Sequence, residues 1–230
     1  MRDGLLSRSP SLPYVGPFVA FLVLLVVSRW LPLPAVATQA GFAAVMLAVL
    51  AILARPALSP PSALRLLNWP GSLLVGVVVF VIWIAPDLLF PAYRHHWLFE
   101  NSFLGNPKGG LSPESQGSAV VLWLRSIRAV AIVPVVEELF WRAWLMRWLI
   151  SADFLSVPLG VWSAQAFWVV ALLFASEHGS YWDVGLAAGV IYNWWMLRTK
   201  SLGDLVLAHA VTNACLSLYV VMAGKWEYWS

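Results

Sequence analysis

The sequence predicts an all-α polytopic membrane protein, a single domain over residues 1–230 with seven to eight transmembrane helices around an intramembrane polar cavity. Of the 230 residues, 61% are hydrophobic and only 11% charged, and the mean hydropathy is +0.79, values that exclude a water-soluble globule. Several apolar runs reach the roughly 20 residues that cross a bilayer. The 15 Trp residues are typical of membrane interfaces.

The apolar runs define the predicted helices in order. Three runs precede the longest polar stretch, 91–117, which is predicted to be a loop that caps the bilayer surface. Four runs follow it, and a proline is expected to break the first of these at Pro134. The predicted helical runs are 13–30, 35–54, 72–90, 119–150, 157–176, 182–197 and 202–222.

The basic residues predict the orientation. With seven spans, one side carries Arg2, Arg8, Arg55, Arg65, Arg147, Arg198 and Lys200, and the other carries Arg29, Arg94, Lys108 and Lys225. This bias predicts a cytoplasmic N-terminus. The net charge of +3 comes from scattered residues, so no nucleic-acid partner is expected. The one cysteine, Cys215, allows neither an intrachain disulfide nor a thiolate metal site.

Two adjacent carboxylates in the fourth run are the first functional candidates. Charged residues inside a membrane are costly and usually serve a function. Glu138 and Arg142 are four residues apart on one helical face and can form an ion pair. Glu137 has Trp141 one turn on and no helical counter-charge, and an unpaired buried carboxylate binds a proton readily, as a general base does. A purely structural Glu–Arg clamp is the alternative interpretation.

Two further pairs of residues at helical spacing, each with a histidine, follow in later apolar runs. Phe174 and His178 share one face at the end of a predicted span, where the histidine could relay a proton or simply cap the helix, with Glu177 as its partner or solvated. His209 and Asn213 lie four apart within an apolar run, which suits either an interhelical hydrogen bond or stabilisation of an oxyanion.

The remaining polar residues are weaker candidates. His95 and His96 are predicted at the surface of the long loop. Asp183 and Asp204 are predicted as helix N-caps. Arg125 and Arg128 are expected to snorkel or to contact lipid headgroups. Motifs of zincins, serine hydrolases and nucleotide-driven pumps are absent from the sequence.

The ordered set Glu137-Glu138-x-x-x-Arg142, Phe174-x-x-x-His178 and His209-x-x-x-Asn213 resembles the signature of the CAAX-protease and bacteriocin-processing family of intramembrane glutamate endopeptidases, which includes the Ras-converting CAAX endopeptidase. The resemblance covers about residues 133–216. The chain length and the segment 101–107 also resemble a bacterial CAAX-protease-related subgroup that accompanies exosortase systems. This second resemblance implies that the protein lies in a bacterial inner membrane.

The resemblance implies an intramembrane endopeptidase that cleaves a peptide or a membrane-anchored protein among membrane lipids. It implies that Glu137 activates a water, that His178 assists, and that His209 and Asn213 stabilise the oxyanion. Glu138, Arg142 and Phe174 would support the site.

Shared chemistry requires Glu137, His178, His209 and Asn213 to meet in one cavity, and we expect a broken or tilted segment near Pro134 or Gly179 to bring them to one depth. Zinc could in principle bind Glu137, His178 and His209. We expect no metal and no other cofactor, because Arg142 would oppose a cation and Asn213 is a good oxyanion donor.

Three alternatives remain open from the sequence. A non-catalytic membrane scaffold or immunity-type protein is the main one. A proton-coupled transporter would also place Glu and His within spans, although no internal repeat is visible. A lipid-modifying acid–base enzyme is the third. The sequence does not determine the oligomeric state.

Overall fold

The computed structural model describes residues 9–59, 63–101 and 110–229. Over these residues the chain forms nine helices and no strand, which confirms the all-α prediction. Arg2, Arg8, Lys108 and positions 102–107 of the subgroup-like segment lie outside the described residues. The helices are α1 Leu12–Val27, α2 Ala35–Ile52, α3 Arg55–Leu58, α4 Trp69–Leu89, α5 Pro113–Gln116, α6 Ala119–Trp148, α7 Ala164–Ser176, α8 Trp182–Thr199 and α9 Leu202–Ala223.

Four helices are long and apolar enough to cross a bilayer, namely α2, α4, α6 and α9. Helices α1 and α7 are apolar but shorter, with 16 and 13 residues. Helix α8 has 18 residues but includes Asp183, Asn193 and Arg198, which lower its hydropathy. The four long apolar helices make the chain an integral membrane protein.

The predicted break at Pro134 is wrong, because α6 runs without interruption from Ala119 to Trp148. Instead, the helix widens into π-helical turns at Arg128–Ile132 and Trp141–Leu145. Proline removes a donor and crowds the preceding turn, and a wider turn accommodates both effects. The two π-helical turns enclose Val133–Phe140, the segment that carries the paired glutamates.

Helix α7 begins later than predicted, at Ala164 rather than 157. Gly160 has a φ of +70°, a left-handed conformation that ends any helix begun before it. The side chain of Ser163 then accepts a hydrogen bond from the Ala166 N–H and caps the new helix.

Helix α9 packs along α4 and also against α6. The two helices approach closely at Gly76 of α4, where an added Cβ would lie 2.5 Å from the backbone oxygen of Ala208. Small residues permit such close contact between membrane helices. The main hydrophobic core lies around this contact and includes Val79, Leu139 and Leu205.

The two predicted aspartate caps are wrong. Ser201 caps α9, and the fully buried Asp204 instead accepts hydrogen bonds from the N–H groups of Leu67 and Asn68, at 2.9 and 3.0 Å. The first N–H groups of a helix have no carbonyl partner within that helix. Because Ser201 already caps α9, the Asp204 carboxylate can accept from the N–H groups at the start of α4. Asp183 forms an ion pair with Arg94.

The described parts of the predicted loop 91–117 are ordered around buried Arg94. Arg94 bonds to Asp87 at 3.0 Å as well as to Asp183, and so ties the loop to α4 and α8. His95 is exposed, as predicted, and its Nδ1 lies 3.1 Å from Oε2 of Glu100. The loop also contains a short 3-10 helix at Tyr93–His95 and the short helix α5.

Candidate active site

A cavity of about 190 Å³, here called the central cavity, lies among α4, α6, α7, α8 and α9. Glu137, His178, His209 and Asn213 all line it, although they come from three different parts of the sequence. Water takes up about 30 Å³ per molecule in the liquid, so the space holds several waters. Its other lining residues include Trp83, Phe174, Tyr192, Thr212, Tyr228 and Trp229.

Behind the cavity, Glu138 and Arg142 form a buried ion pair. Both carboxylate oxygens of Glu138 accept from Nη1 of Arg142 at 3.1 Å. Arg142 Nε donates to Oδ1 of Asn193 at 2.9 Å, and Nδ2 of Asn193 donates to the Phe167 carbonyl. The guanidinium carbon lies 4.5 Å from the Phe174 ring centroid. We call Glu138, Arg142 and Asn193 the clamp.

His209 lies between the two glutamates. Its Nδ1 is 2.8 Å from Oε1 of Glu138, and its Nε2 is 3.9 Å from Oε2 of Glu137. A carboxylate that accepts from Arg142 also accepts from the histidine, so Nδ1 carries a proton and Nε2 faces Glu137. The fully buried Glu138 therefore orients both its helical partner and a histidine from α9.

The ring of His209 is fixed from the other side by Tyr192. The two rings stack with centroids 5.1 Å apart. The Tyr192 hydroxyl donates to Oγ1 of Thr212 at 2.7 Å, and Thr212 donates to the carbonyl of Gly76 at 2.8 Å. The close α4–α9 contact at Gly76 is thus connected to the orientation of His209.

His178 lies at the break between α7 and α8. Its Nδ1 donates to the carbonyl of Phe174 at 2.7 Å, which leaves Nε2 as the acceptor of a neutral ring. Gly179 follows with a φ of +52°, so the chain turns there, at one of the two places where we expected a break. Trp83 packs edge-on against the imidazole at 5.1 Å.

Asn213 holds α9 against α6. Its Nδ2 donates to the carbonyl of Ala129 at 2.8 Å, within the first π-helical turn. A side-chain amide nitrogen has two hydrogens, so one remains for a group in the cavity.

Phe174 is 1% exposed and forms part of the cavity wall, in contact with His178 and His209. Glu177 accepts from the Trp141 indole N–H at 3.1 Å.

Sequence reasoning missed several residues of the site. These residues are Tyr192 and Asn193 on α8 and Thr212 on α9. Their hydrogen-bond partners, Thr212, Arg142 and Gly76 respectively, lie on other helices, so spacing within one helix could not indicate their roles. Tyr228 lines the cavity from beyond α9, where its hydroxyl donates to Asp87 at 2.7 Å. Burial and that carboxylate raise the pKa of the Tyr228 hydroxyl, so it remains a neutral donor.

In a comparison with known families, residues 119–215 match the type II CAAX prenyl endopeptidase Rce1-like family. The resemblance to the CAAX-protease family is confirmed. The matched segment runs from the start of α6 to within α9. It contains the four polar candidates that line the central cavity, Glu137, His178, His209 and Asn213. Comparison with curated proteins and with solved structures gave no match.

The match supports a membrane-embedded protease of the CAAX type at the level of the family. Within the part of the chain that the structure describes, no three His, Cys, Asp or Glu side chains are grouped as a metal centre requires.

Proposed function

We propose that the protein is an intramembrane glutamate endopeptidase in which Glu137 activates water for hydrolysis of a peptide bond. One observation carries this proposal: Glu137 is 3.9 Å from Nε2 of His209 and faces a cavity that His178 and Asn213 also line. A carboxylate base, a second proton acceptor and two oxyanion donors around one cavity are the groups that acyl hydrolysis needs.

In this mechanism Glu137 takes a proton from a water in the central cavity, and the hydroxide attacks the substrate carbonyl carbon. His178, with Nε2 free, accepts a hydrogen bond from the same water and orients it. The proton held by Glu137 then passes to the amide nitrogen, the C–N bond breaks, and an amine and a carboxylic acid leave.

The oxyanion formed by this attack needs donors already in place. His209 donates from Nε2 when its ring carries both protons, and the Glu138 carboxylate holds Nδ1 at 2.8 Å. Asn213 donates its second amide hydrogen. The clamp therefore orients His209 without contacting the substrate.

We propose that hydrolysis proceeds without a metal, because the guanidinium of Arg142 lies beside the carboxylates and would oppose a cation. The expected substrate is a peptide or a membrane-anchored protein. A bacterial inner membrane, a cytoplasmic N-terminus and the exosortase-associated subgroup remain predictions.

The test uses the purified full chain in lipid nanodiscs, incubated with a library of lipid-anchored peptides in heavy-oxygen water. We expect new peptide termini by mass spectrometry, with one heavy oxygen in each new carboxylate. Glu137→Gln should lose this activity by a factor of at least about 10³, within the range for loss of a general base. Glu114→Gln, an exposed carboxylate in α5, is the matched control and should retain it.

Three results would contradict the proposal. Full turnover by Glu137→Gln would remove the glutamate from the mechanism. Absence of cleavage by the wild-type chain, together with an intact phenotype of Glu137→Gln in cells, would favour the non-catalytic scaffold. Modification of lipid rather than peptide would favour the lipid enzyme.

A further inference from the structure

The row of side chains that α9 presents to the central cavity continues beyond the four polar candidates. His209, Asn213 and Ser217 follow one another at intervals of four residues, so they share one helical face. All three line the central cavity. His209 and Asn213 are the proposed oxyanion donors, whereas Ser217 has no part in the mechanism proposed above.

The hydroxyl of Ser217 is buried without a partner. Ser217 is 5% exposed, and no group in the part of the chain that the structure describes forms a hydrogen bond with its Oγ. A serine in a helix often bonds to a carbonyl of the preceding turn, as Ser176 does to Leu173. An unpaired buried hydroxyl destabilises the folded chain. We therefore expect this hydroxyl to gain its partner from a bound ligand.

Ser217 also borders an apolar groove of about 390 Å³ between α6 and α9. The other residues that line this groove are apolar, except for Ser126. Two of them, Trp123 and Leu218, are 69% and 61% exposed, so in a membrane the groove opens toward lipid. Ser217 thus lies where the central cavity meets the groove.

The spacing of the donors along α9 matches the repeat of an extended peptide. Asn213 and Ser217 are separated by four residues, which is a rise of about 6 Å in an α-helix. In an extended chain, groups two residues apart point to the same side and are about 6–7 Å apart. A peptide with its cleaved carbonyl at Asn213 therefore places the carbonyl two residues away at Ser217.

We infer that Ser217 is a substrate-binding residue whose hydroxyl donates to the backbone carbonyl two residues from the cleaved bond, an assignment that rests on the proposed peptidase function. The bound peptide lies extended along α9 and runs from the central cavity into the apolar groove, which takes its apolar side chains. No hydrogen bond within the described chain holds the Ser217 rotamer, so rotation about its Cα–Cβ bond brings the hydroxyl to the peptide.

The probes are fluorescent alanine peptides with an N-terminal palmitoyl anchor and an amidated C-terminus. One has all its peptide bonds. Each of the others has one peptide bond replaced by a trans-alkene, which keeps the planar shape but has no carbonyl oxygen. Binding to the full chain is measured by fluorescence anisotropy in phosphatidylcholine nanodiscs, with empty nanodiscs as the blank, both in the wild type and in Glu137→Gln. At least one alkene peptide should bind about two- to tenfold more weakly than the intact peptide, the effect of one neutral hydrogen bond.

Ser217→Ala should bind the intact peptide about two- to tenfold more weakly than the wild type does, and should no longer discriminate against that alkene peptide. Its melting temperature should equal or slightly exceed that of the wild type, because an unpaired buried hydroxyl is removed. A serine needed only for packing would not give this combination. Ser176→Ala is the matched control, since it removes an exposed hydroxyl at the end of α7 and should bind as the wild type does.

Ala214→Trp tests the path of the peptide. Ala214 lines the groove and is exposed, so an indole there would fill the groove and should weaken binding of the intact peptide by about tenfold. Ala44→Trp places the same side chain on an exposed position of α2 and should leave binding unchanged. Wild-type affinity in Ala214→Trp would overturn the placement of the peptide in the groove.

Equal binding of the intact peptide by the wild type and by Ser217→Ala would overturn the inference. An alkene penalty that persists in full in Ser217→Ala would also overturn it, as would the absence of peptide binding by the wild type. Because binding is measured without turnover, a Ser217-dependent affinity in a chain that cleaves nothing would disprove the proposed function and leave the peptide site standing.

Discussion

The two faces of one helical segment, Val133–Phe140, differ in what surrounds their glutamates. Glu138 is 0% exposed and bonded to both Arg142 and His209. Glu137 is 8% exposed, makes no side-chain hydrogen bond with any described residue, and borders the central cavity. Adjacent residues of one type thus have different surroundings, because a helix turns successive side chains by about 100°.

The largest expected effect is a difference in protein stability between substitutions of the two glutamates. Glu138→Gln should lower the free energy of unfolding by about 3–5 kcal/mol, since Arg142 and His209 would lose their charged partner in a buried site. Glu137→Gln should change it by less than about 1 kcal/mol, because the amide keeps the shape and breaks no ion pair with Arg142. Thermal unfolding in detergent measures both. A stable Glu138→Gln beside an unstable Glu137→Gln would reverse the two assignments.

On the cavity face, Asn213→Ala should lower kcat by about 10²–10³ through loss of an oxyanion donor. Its bond to Ala129 is also lost, so a modest fall in melting temperature accompanies this change. The control is Cys215→Ala, two residues further along α9, which should keep the wild-type kcat. An unchanged kcat in Asn213→Ala would limit this residue to joining α6 and α9.

Behind the clamp, Gly76→Ala should destabilise the protein by about 1–3 kcal/mol, because the new methyl group would overlap the backbone of Ala208. Gly41→Ala in α2 is the matched control, since a Cβ there meets nothing within 4 Å. That variant should be as stable as the wild type or slightly more stable. Equal melting temperatures for the two variants would contradict the close α4–α9 contact.

The smallest effect is expected at Tyr192, which supports the clamp face without a charge. Tyr192→Phe keeps the stacking on His209 and loses the hydrogen bond to Thr212, at a cost of about 0.5–1.5 kcal/mol. Turnover should fall only a few-fold, with an unchanged KM. A loss of activity as large as that of Glu137→Gln would give the Tyr192 hydroxyl a direct part in the chemistry.

The sequence alone predicted the membrane class, the order of the seven apolar helices and the Glu138–Arg142 pair. These features depend on composition and on contacts within one helix, where spacing specifies which side chains meet. The predicted break at Pro134 failed because a local rule cannot show that the chain responds with a wider turn. The predicted caps at Asp183 and Asp204 failed for a related reason, since their partners lie on distant segments.

Only the tertiary structure decided how the clamp continues beyond α6. His209 pairs with Glu138 across 71 positions of sequence, and Asn193 meets Arg142 across 51. It also showed that Arg128 faces a cavity rather than lipid. Hydropathy identifies which segments enter the membrane, but the rotation of each helix about its axis depends on packing against its neighbours. That rotation places Glu137 at the cavity and Glu138 in the clamp.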